Sequence, residues 1–294
     1  MKKIINLCSF GHNDPQIAGV FDDTIESVAY LVRLCGAFPV RLRNKIDPGG
    51  LNILWGAGAH YSPTLETLLQ YCNIKNTIIF NMEQIGSNSP LVTSMYLDFL
   101  ANFKVFDYSI HNIKALKKKY PLINSEEFPL IPSASFCNDY VAKTDEKKYH
   151  FAFYGSLNER RRFLLEKMQL SDIKIKIIEG AYGRSLSHEL SECHAVINIH
   201  AYDTSLFESA RSLRPIAMGI PIVSETSRMP QLIDWKKAPI KFIDYEDLNE
   251  YCIFAKKTNF SEINVQNSVS PEFLYRYYRK PALLNSIRYL LGID

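Results

Sequence analysis

Asn198-Ile199-His200-Ala201-Tyr202-Asp203-Thr204-Ser205-Leu206-Phe207-Glu208-Ser209-Ala210-Arg211, followed shortly by Met218-Gly219-Ile220-Pro221-Ile222-Val223-Ser224-Glu225, is the stretch on which the fold turns. The apolar run Ala195–Ile199 predicts a buried strand that ends in a polar cluster. A helix over Ser205–Ala217 follows, with Glu208 and Arg211 one turn apart on one face. Met218-Gly219 stops that helix, and Pro221–Ser224 predicts a second buried strand.

The alternation continues on both sides of this unit. Upstream, Phe151–Tyr154 and Ile173–Ile178 predict strands, Glu159–Met168 and Leu186–Cys193 helices. Downstream come the strand Lys241–Ile243 and the helix Tyr245–Ala255. The N-terminal half has the same rhythm. Strands are predicted at Ile4–Leu7, Val40–Leu42, Asn52–Trp55, Thr77–Phe80, Lys104–Phe106 and Phe128–Ile131. Helices are predicted at Asp22–Leu34, Thr64–Tyr71, Pro90–Asn102 and Ile110–Lys119. Strands and helices in such alternation imply parallel sheets covered on both faces. Pro132–His150 carries prolines, serines and a charged run without apolar periodicity, and reads as an interdomain linker. The expected architecture is therefore α/β, with two doubly wound domains at 1–135 and 145–270 and terminal helices over 271–294.

The composition fits a globular chain of two domains: 294 residues, 47% hydrophobic and 22% charged. A net charge of +3 is too small to argue for wrapping duplex nucleic acid, so no nucleic-acid partner is expected. No apolar run approaches the ~20 residues of a membrane-spanning helix. The opening Met1–Leu7 reads as a first strand rather than a signal peptide, which predicts a cytoplasmic protein. Six scattered cysteines without a C-x-x-C pair predict buried thiols and no structural zinc. The seven histidines show no metal-ligand spacing either, so no metal is expected.

Ligands of doubly wound sheets bind outside the carboxyl ends of the strands, so the strand-to-helix turns are the candidate sites. Phe153-Tyr154-Gly155-Ser156 ends a strand, and Asn158-Glu159-Arg160-Arg161-Arg162 opens a helix. Gly155 lets a ligand approach the backbone, and helix N–H groups suit an anion. Three arginines at the positive end of a helix point to bound phosphate, with Arg160 or Arg161 as its carrier; a solvated basic patch with Ser156 as N-cap is the competing reading. Gly180-Ala181-Tyr182-Gly183 follows the next strand and offers the Tyr182 ring to a planar base, or is an ordinary loop. Glu208 can accept both hydroxyls of a ribose, while Arg211 meets a phosphate or locks Glu208 in a structural pair. No G-x-G-x-x-G fingerprint occurs, which weighs against a nicotinamide or flavin cofactor.

The block from Phe153-Tyr154-Gly155-Ser156 through Asn198-Ile199-His200 and Phe207-Glu208-x-x-Arg211 to Gly219-x-Pro221-Ile222-Val223-Ser224-Glu225 resembles the nucleotide-sugar half of GT-B glycosyltransferases. The likeness is greatest to bacterial proteins of the spore-coat and surface-polysaccharide type. Phe80-Asn81-Met82-Glu83-Gln84-Ile85 and Phe106-Asp107-Tyr108-Ser109-x-x-Asn112 resemble the same group in the first half. The resemblance implies two Rossmann-like domains facing a cleft, the C-terminal one binding a nucleotide-sugar donor and the N-terminal one a glycan, lipid-linked or protein acceptor. It assigns Gly155, Ser156 and the arginines to the diphosphate and Glu208 to the ribose, without a resident cofactor or metal. In the large retaining family that includes glycogen synthase a second glutamate stands eight residues before the ribose-binding one; here that position is His200.

An inverting transferase needs a base on its N-terminal domain, and His12, Asp14, Glu83 and Asp107 are the candidates. Glu83, closing an apolar strand, is the first choice, with a buried loop-supporting carboxylate as its other reading. Asp107 reads as a helix cap. A retaining enzyme can pass the proton to the donor phosphate and needs no such base. The terminal stretch Glu272–Leu291 mixes apolar and basic residues; it either crosses back onto the N-terminal domain or lies on the inner face of a membrane. The function expected from these readings is hexosyl or related transfer to a hydroxyl. A non-catalytic nucleotide-sugar-binding module and a sugar-nucleotide epimerase of the same fold are the alternatives.

Overall fold

The computed structural model describes residues 2–11, 19–58, 64–139, 147–202, 206–228, 235, 238–264 and 281–293. The chain forms two units, each built on one parallel sheet. The first holds β1 (Ile4–Ser9), α1 (Asp22–Leu34), β2 (Phe38–Arg43), β3 (Leu51–Trp55), α2 (Leu65–Tyr71), β4 (Thr77–Asn81), α3 (Ser94–Ala101), β5 (Lys104–Asp107), α4 (Ile110–Lys119) and β6 (Ser125–Glu127). Its strands lie in the order β2-β1-β3-β4-β5-β6. All of β4 is buried, as expected of a central strand covered on both faces. Helix α1 turns Ile25, Val28, Ala29 and Val32 inward, and begins with Asp22 and Asp23, whose charge suits the helix dipole. Trp55 is fully buried and stacks on Phe80, ring centroids 5.0 Å apart.

The second unit holds β7 (Tyr149–Tyr154), α5 (Glu159–Leu170), β8 (Ile175–Ile178), α6 (Gly183–Ser191), β9 (Cys193–Asn198), α7 (Ser209–Ala217), β10 (Ile222–Glu225), β11 (Ile240–Ile243) and α8 (Leu248–Lys257). The order is β11-β10-β9-β7-β8, again all parallel. Its core gathers Phe151, Phe153, Leu164, Leu165, Met168, Ile197 and Leu248. Trp235 is buried against Phe207, centroids 5.3 Å apart.

Several element limits differ from the sequence expectation, each for a local reason. The last strand of the first sheet is Ser125–Glu127 rather than Phe128–Ile131. Phe128 N–H still reaches the Asp107 carbonyl at 2.7 Å, but Pro129 has no N–H with which to extend the ladder. The helix expected from Pro90 starts at Ser94, where the Thr93 hydroxyl accepts the Tyr96 N–H. The helix expected from Ser205 starts at Ser209, and Leu206 forms a bridge with Arg228. Gly183 opens the helix expected at Leu186, and Cys193 already belongs to β9. Within the expected linker, Ala134–Asp139 makes a short 3-10 turn and β7 begins at Tyr149.

The helix Pro281–Leu291 packs on the first unit. It buries Ile287, Leu290 and Leu291, Arg288 Nε donates to the Cys35 carbonyl at 3.2 Å, and Lys104 Nζ to the Leu290 carbonyl at 2.9 Å. Residues 272–280 of the amphipathic stretch lie outside the described residues. Among the described residues no helix is long and apolar enough to cross a membrane.

Candidate functional site

The second sheet has β7 inside it. The chain goes from β7 to β8 on one flank and then back past it to β9, β10 and β11 on the other. The turns leaving β7 and β9 therefore diverge, and a crevice opens between them at the carboxyl ends of the strands. Gly155, Ser156, Arg160 and Arg161 leave β7; His200 and Glu208 follow β9; Arg211 lies in the first turn of α7. Sequence positions up to 56 residues apart thus meet at one sheet edge.

Gly155 has φ +125°, and a Cβ there would lie 2.7 Å from Arg211 Cζ and Nη2. A side chain at this position would be strained by the backbone and would have to push the Arg211 guanidinium aside. Pro215, inside α7, explains part of this arrangement. It lacks the N–H that would bond the Arg211 carbonyl four residues back, and the Tyr154 hydroxyl donates to that carbonyl instead. The end of β7 is thereby tied to α7 beside Gly155.

Glu208 stands between two cations. Its Oε2 lies 2.8 Å from Arg211 Nη1 and 3.2 Å from Arg161 Nη2. The Arg211 contact is an ion pair without hydrogen-bond alignment, and Arg211 Nη1 makes no hydrogen bond.

The two arginines expected to carry phosphate are occupied elsewhere. Arg161 is fully buried: Nε donates to the Ile199 carbonyl at 2.9 Å, Nη1 to the Ser156 carbonyl at 2.8 Å and Nη2 to Glu208. Burial, with Arg211 nearby, brings its pKa down to about 10, so it remains charged at neutral pH. Arg160 grips Glu225 with both terminal nitrogens at 2.8 and 2.5 Å, donates to the His200 carbonyl at 3.1 Å and lies over the Tyr245 ring at 3.7 Å. These side chains pin the loops after β7, β9 and β10 to one another. Asn158 joins them as the N-cap of α5, accepting the Arg161 N–H at 3.0 Å and donating to the Ala201 carbonyl at 2.6 Å. Ser156 is exposed and is not the cap.

His200 is 1% exposed. Its N–H donates to Glu225 at 2.9 Å, and Nε2 is 2.6 Å from Ser227 Oγ. The Ser227 hydroxyl spends its proton on the Glu225 carbonyl, so Nε2 carries the hydrogen and Nδ1 is an acceptor without a donor. Burial lowers the pKa of His200, which keeps the ring neutral. Tyr182 is the residue before α6, between Gly180 and Gly183 with φ of +64° and +57°. It stands beyond the end of β8, beside β7.

In the first unit, Glu83 follows β4 and is half-buried. Among the described residues its carboxyl has no hydrogen-bond or ion-pair partner, and burial alone raises its pKa to about 7. His12 and Asp14 lie outside the described residues. Asp107 does not cap α4; Ser109 does, and Asp107 accepts the Ser109 N–H at 2.8 Å. Among the described residues no group of His, Cys, Asp and Glu is arranged to hold a metal ion.

Sequence reasoning missed Asn158, Glu225, Ser227 and Tyr245 as parts of this site. Glu225 alone carried a signal, as the charged residue closing an apolar strand.

No family model matches the chain. An uncharacterized protein of Acanthamoeba polyphaga mimivirus is 31% identical over 225 residues, covering 70% of this chain and 30% of that relative. A second from the same virus is 28% identical over 216 residues, covering 73% of this chain and 72% of the relative. The chain thus spans less than a third of the first of these relatives. Among solved structures, T4 phage BGT in complex with UDP and Mn2+ superposes with a TM-score of 0.59 at 14% identity, covering 99% of both chains. Sucrose-phosphate synthase from Thermosynechococcus elongatus gives 0.54 at 11% identity, covering 99% of this chain and 98% of that one. TarM gives 0.54 at 11% identity over 82% and 54%. These neighbours are GT-B glycosyltransferases, and the two parallel α/β domains have that fold.

Proposed function

We propose that this chain is a glycosyltransferase whose second unit holds a nucleoside diphosphate sugar, with the diphosphate at the Gly155–Ser156 turn and Arg211 and the ribose hydroxyls on Glu208. The observation that carries this reading is Arg211. Its guanidinium fills the room left by the missing Gly155 side chain, at the sheet's switch point, with an Nη1 that is ion-paired to Glu208 but makes no hydrogen bond among the described residues. Three guanidinium groups against the two carboxylates Glu208 and Glu225 leave a net positive site for an anion. A cation already in place stabilises the charge that develops on a leaving diphosphate without reorganisation. The acceptor is a hydroxyl of a glycan, a lipid-linked sugar or a protein. Its oxygen attacks the anomeric carbon, the bond to the diphosphate oxygen breaks with its electron pair, and the Glu83 carboxylate takes the proton.

The test is a thermal-shift and calorimetric screen against UDP, GDP, CMP and dTDP, with NAD as control. A nucleoside diphosphate at 100 times its Kd should add ~2.7 kcal/mol of stability. Arg211→Gln, which leaves Arg161 and Glu208 paired, should remove that shift. A response to NAD alone, or to none of the nucleotides, overturns the reading. Binding without turnover would identify a non-catalytic module, and release of free UDP from its sugar conjugate without acceptor an epimerase.

A further inference from the structure

The two short motifs of the first unit, Asn81-Met82-Glu83-Gln84-Ile85 and Asp107-Tyr108-Ser109-x-x-Asn112, are one hydrogen-bonded assembly. The Glu83 carbonyl accepts from Asn81 Nδ2 at 2.9 Å and from Asn112 Nδ2 at 3.0 Å, and the Glu83 N–H donates to Asn81 Oδ1 at 3.0 Å. Asn112 Oδ1 accepts the Ile85 N–H at 2.8 Å, so the loop is held on both sides of Gln84. Both amides are themselves fixed by Asp107, which accepts from Asn81 Nδ2 at 2.6 Å and from Asn112 Nδ2 at 3.0 Å. Tyr96 completes the set by donating to Asn81 Oδ1 at 2.6 Å. Asn81, Asp107 and Asn112 are fully buried, while the carboxyl of Glu83 has no hydrogen-bond partner among the described residues.

We infer that Asn81 and Asn112, oriented by the buried Asp107, are positioning residues that hold Glu83 where its carboxyl is short of water and free to take a proton. This rests on the assignment of Glu83 as the base. Every polar group of the Glu83 backbone is used, so the residue has little freedom to turn its side chain out to solvent. The frame costs the side chain no hydrogen-bonding capacity, which a base needs for its substrate. No neighbouring charge enters the causes of the Glu83 shift, whereas Glu127 acts on Asp107.

The experiment is a 13C NMR titration of the side-chain carboxyl groups in protein labelled at glutamate, with the Glu83 signal identified by its loss in Glu83→Gln. In the parent chain Glu83 should titrate well above an ordinary glutamate. Asn112→Ala, with Asn112→Ser as a milder variant where alanine unfolds the unit, should move that midpoint by at least one pH unit toward the ordinary range while UDP affinity stays unchanged. A folded variant whose Glu83 midpoint does not move overturns the inference. The base assignment fails separately, if Glu83→Gln releases UDP from the donor, in the presence of acceptor, as fast as the parent.

Discussion

Glu83 and Asp107 are residues whose protonated forms the fold favours. Burial raises Glu83 from an ordinary 4.5 to about 7, and raises Asp107 from 3.8 to about 7 against the pull of three N–H donors. The folded chain then binds more protons than the unfolded chain between these values. That contribution to stability is complete below pH ~4 and is lost as pH rises through 7. His150, His194 and His200, whose pKa values burial lowers, act in the opposite sense, so the readout is a difference: in urea unfolding between pH 5 and 8 the stability of the parent relative to Glu83→Gln should fall as pH rises. A difference that does not change with pH would mean that Glu83 titrates as an ordinary exposed glutamate. At this scale the sequence placed Glu83, Glu208 and Arg211 beyond strand ends, and the structure has them there. It did not show that Arg161 is buried, although the signal was present: positions 161, 164, 165 and 168 form one helical face, and all four are buried. An arginine in step with Leu164, Leu165 and Met168 is carried into the interior by its helical face.

Between elements, the joint of β7 and α7 depends on a proline placed inside a helix. Pro215 frees the Arg211 carbonyl, and Tyr154 satisfies it. Tyr154→Phe should cost about 1 kcal/mol, the net value of such a hydrogen bond. In a Pro215→Ala background the new N–H at 215 can bond the same carbonyl, so the Tyr154 substitution should cost less there. A double-mutant cycle by urea unfolding reads this coupling, and strict additivity would show that the two residues do not share the carbonyl. Element identities were readable from apolar runs and helical spacing except for β6, whose Ser125-Glu126-Glu127 has no apolar run, and the ends of the others were not. Thr93, Ser109 and Asn158 set helix starts through side-chain bonds, and Pro129 ends a sheet through a missing donor. Each of these depends on one atom, which periodicity over ten residues does not resolve.

On the scale of the molecule, both units repeat one logic: parallel strands ordered outward from an early interior strand, with polar residues gathered beyond the carboxyl ends, at β4 and β5 in the first unit and where the connections part at β7 and β9 in the second. That much follows from alternation alone, which is why the fold was readable at 14% identity or less to the structures that share it. The partnerships within the site were not, because Arg160 meets Glu225 across 65 residues and Arg161 meets Glu208 across 47. The buried Trp55 and Trp235 carry a practical consequence. The chain has two tryptophans, one per unit, each inside an aromatic contact. Each half therefore contains its own intrinsic fluorophore. With Trp55→Phe the emission reports only on the half bearing Glu208, and with Trp235→Phe only on the half bearing Glu83. Denaturation followed in the two variants should give separate midpoints if the halves melt independently, and UDP should shift only the curve seen through Trp235.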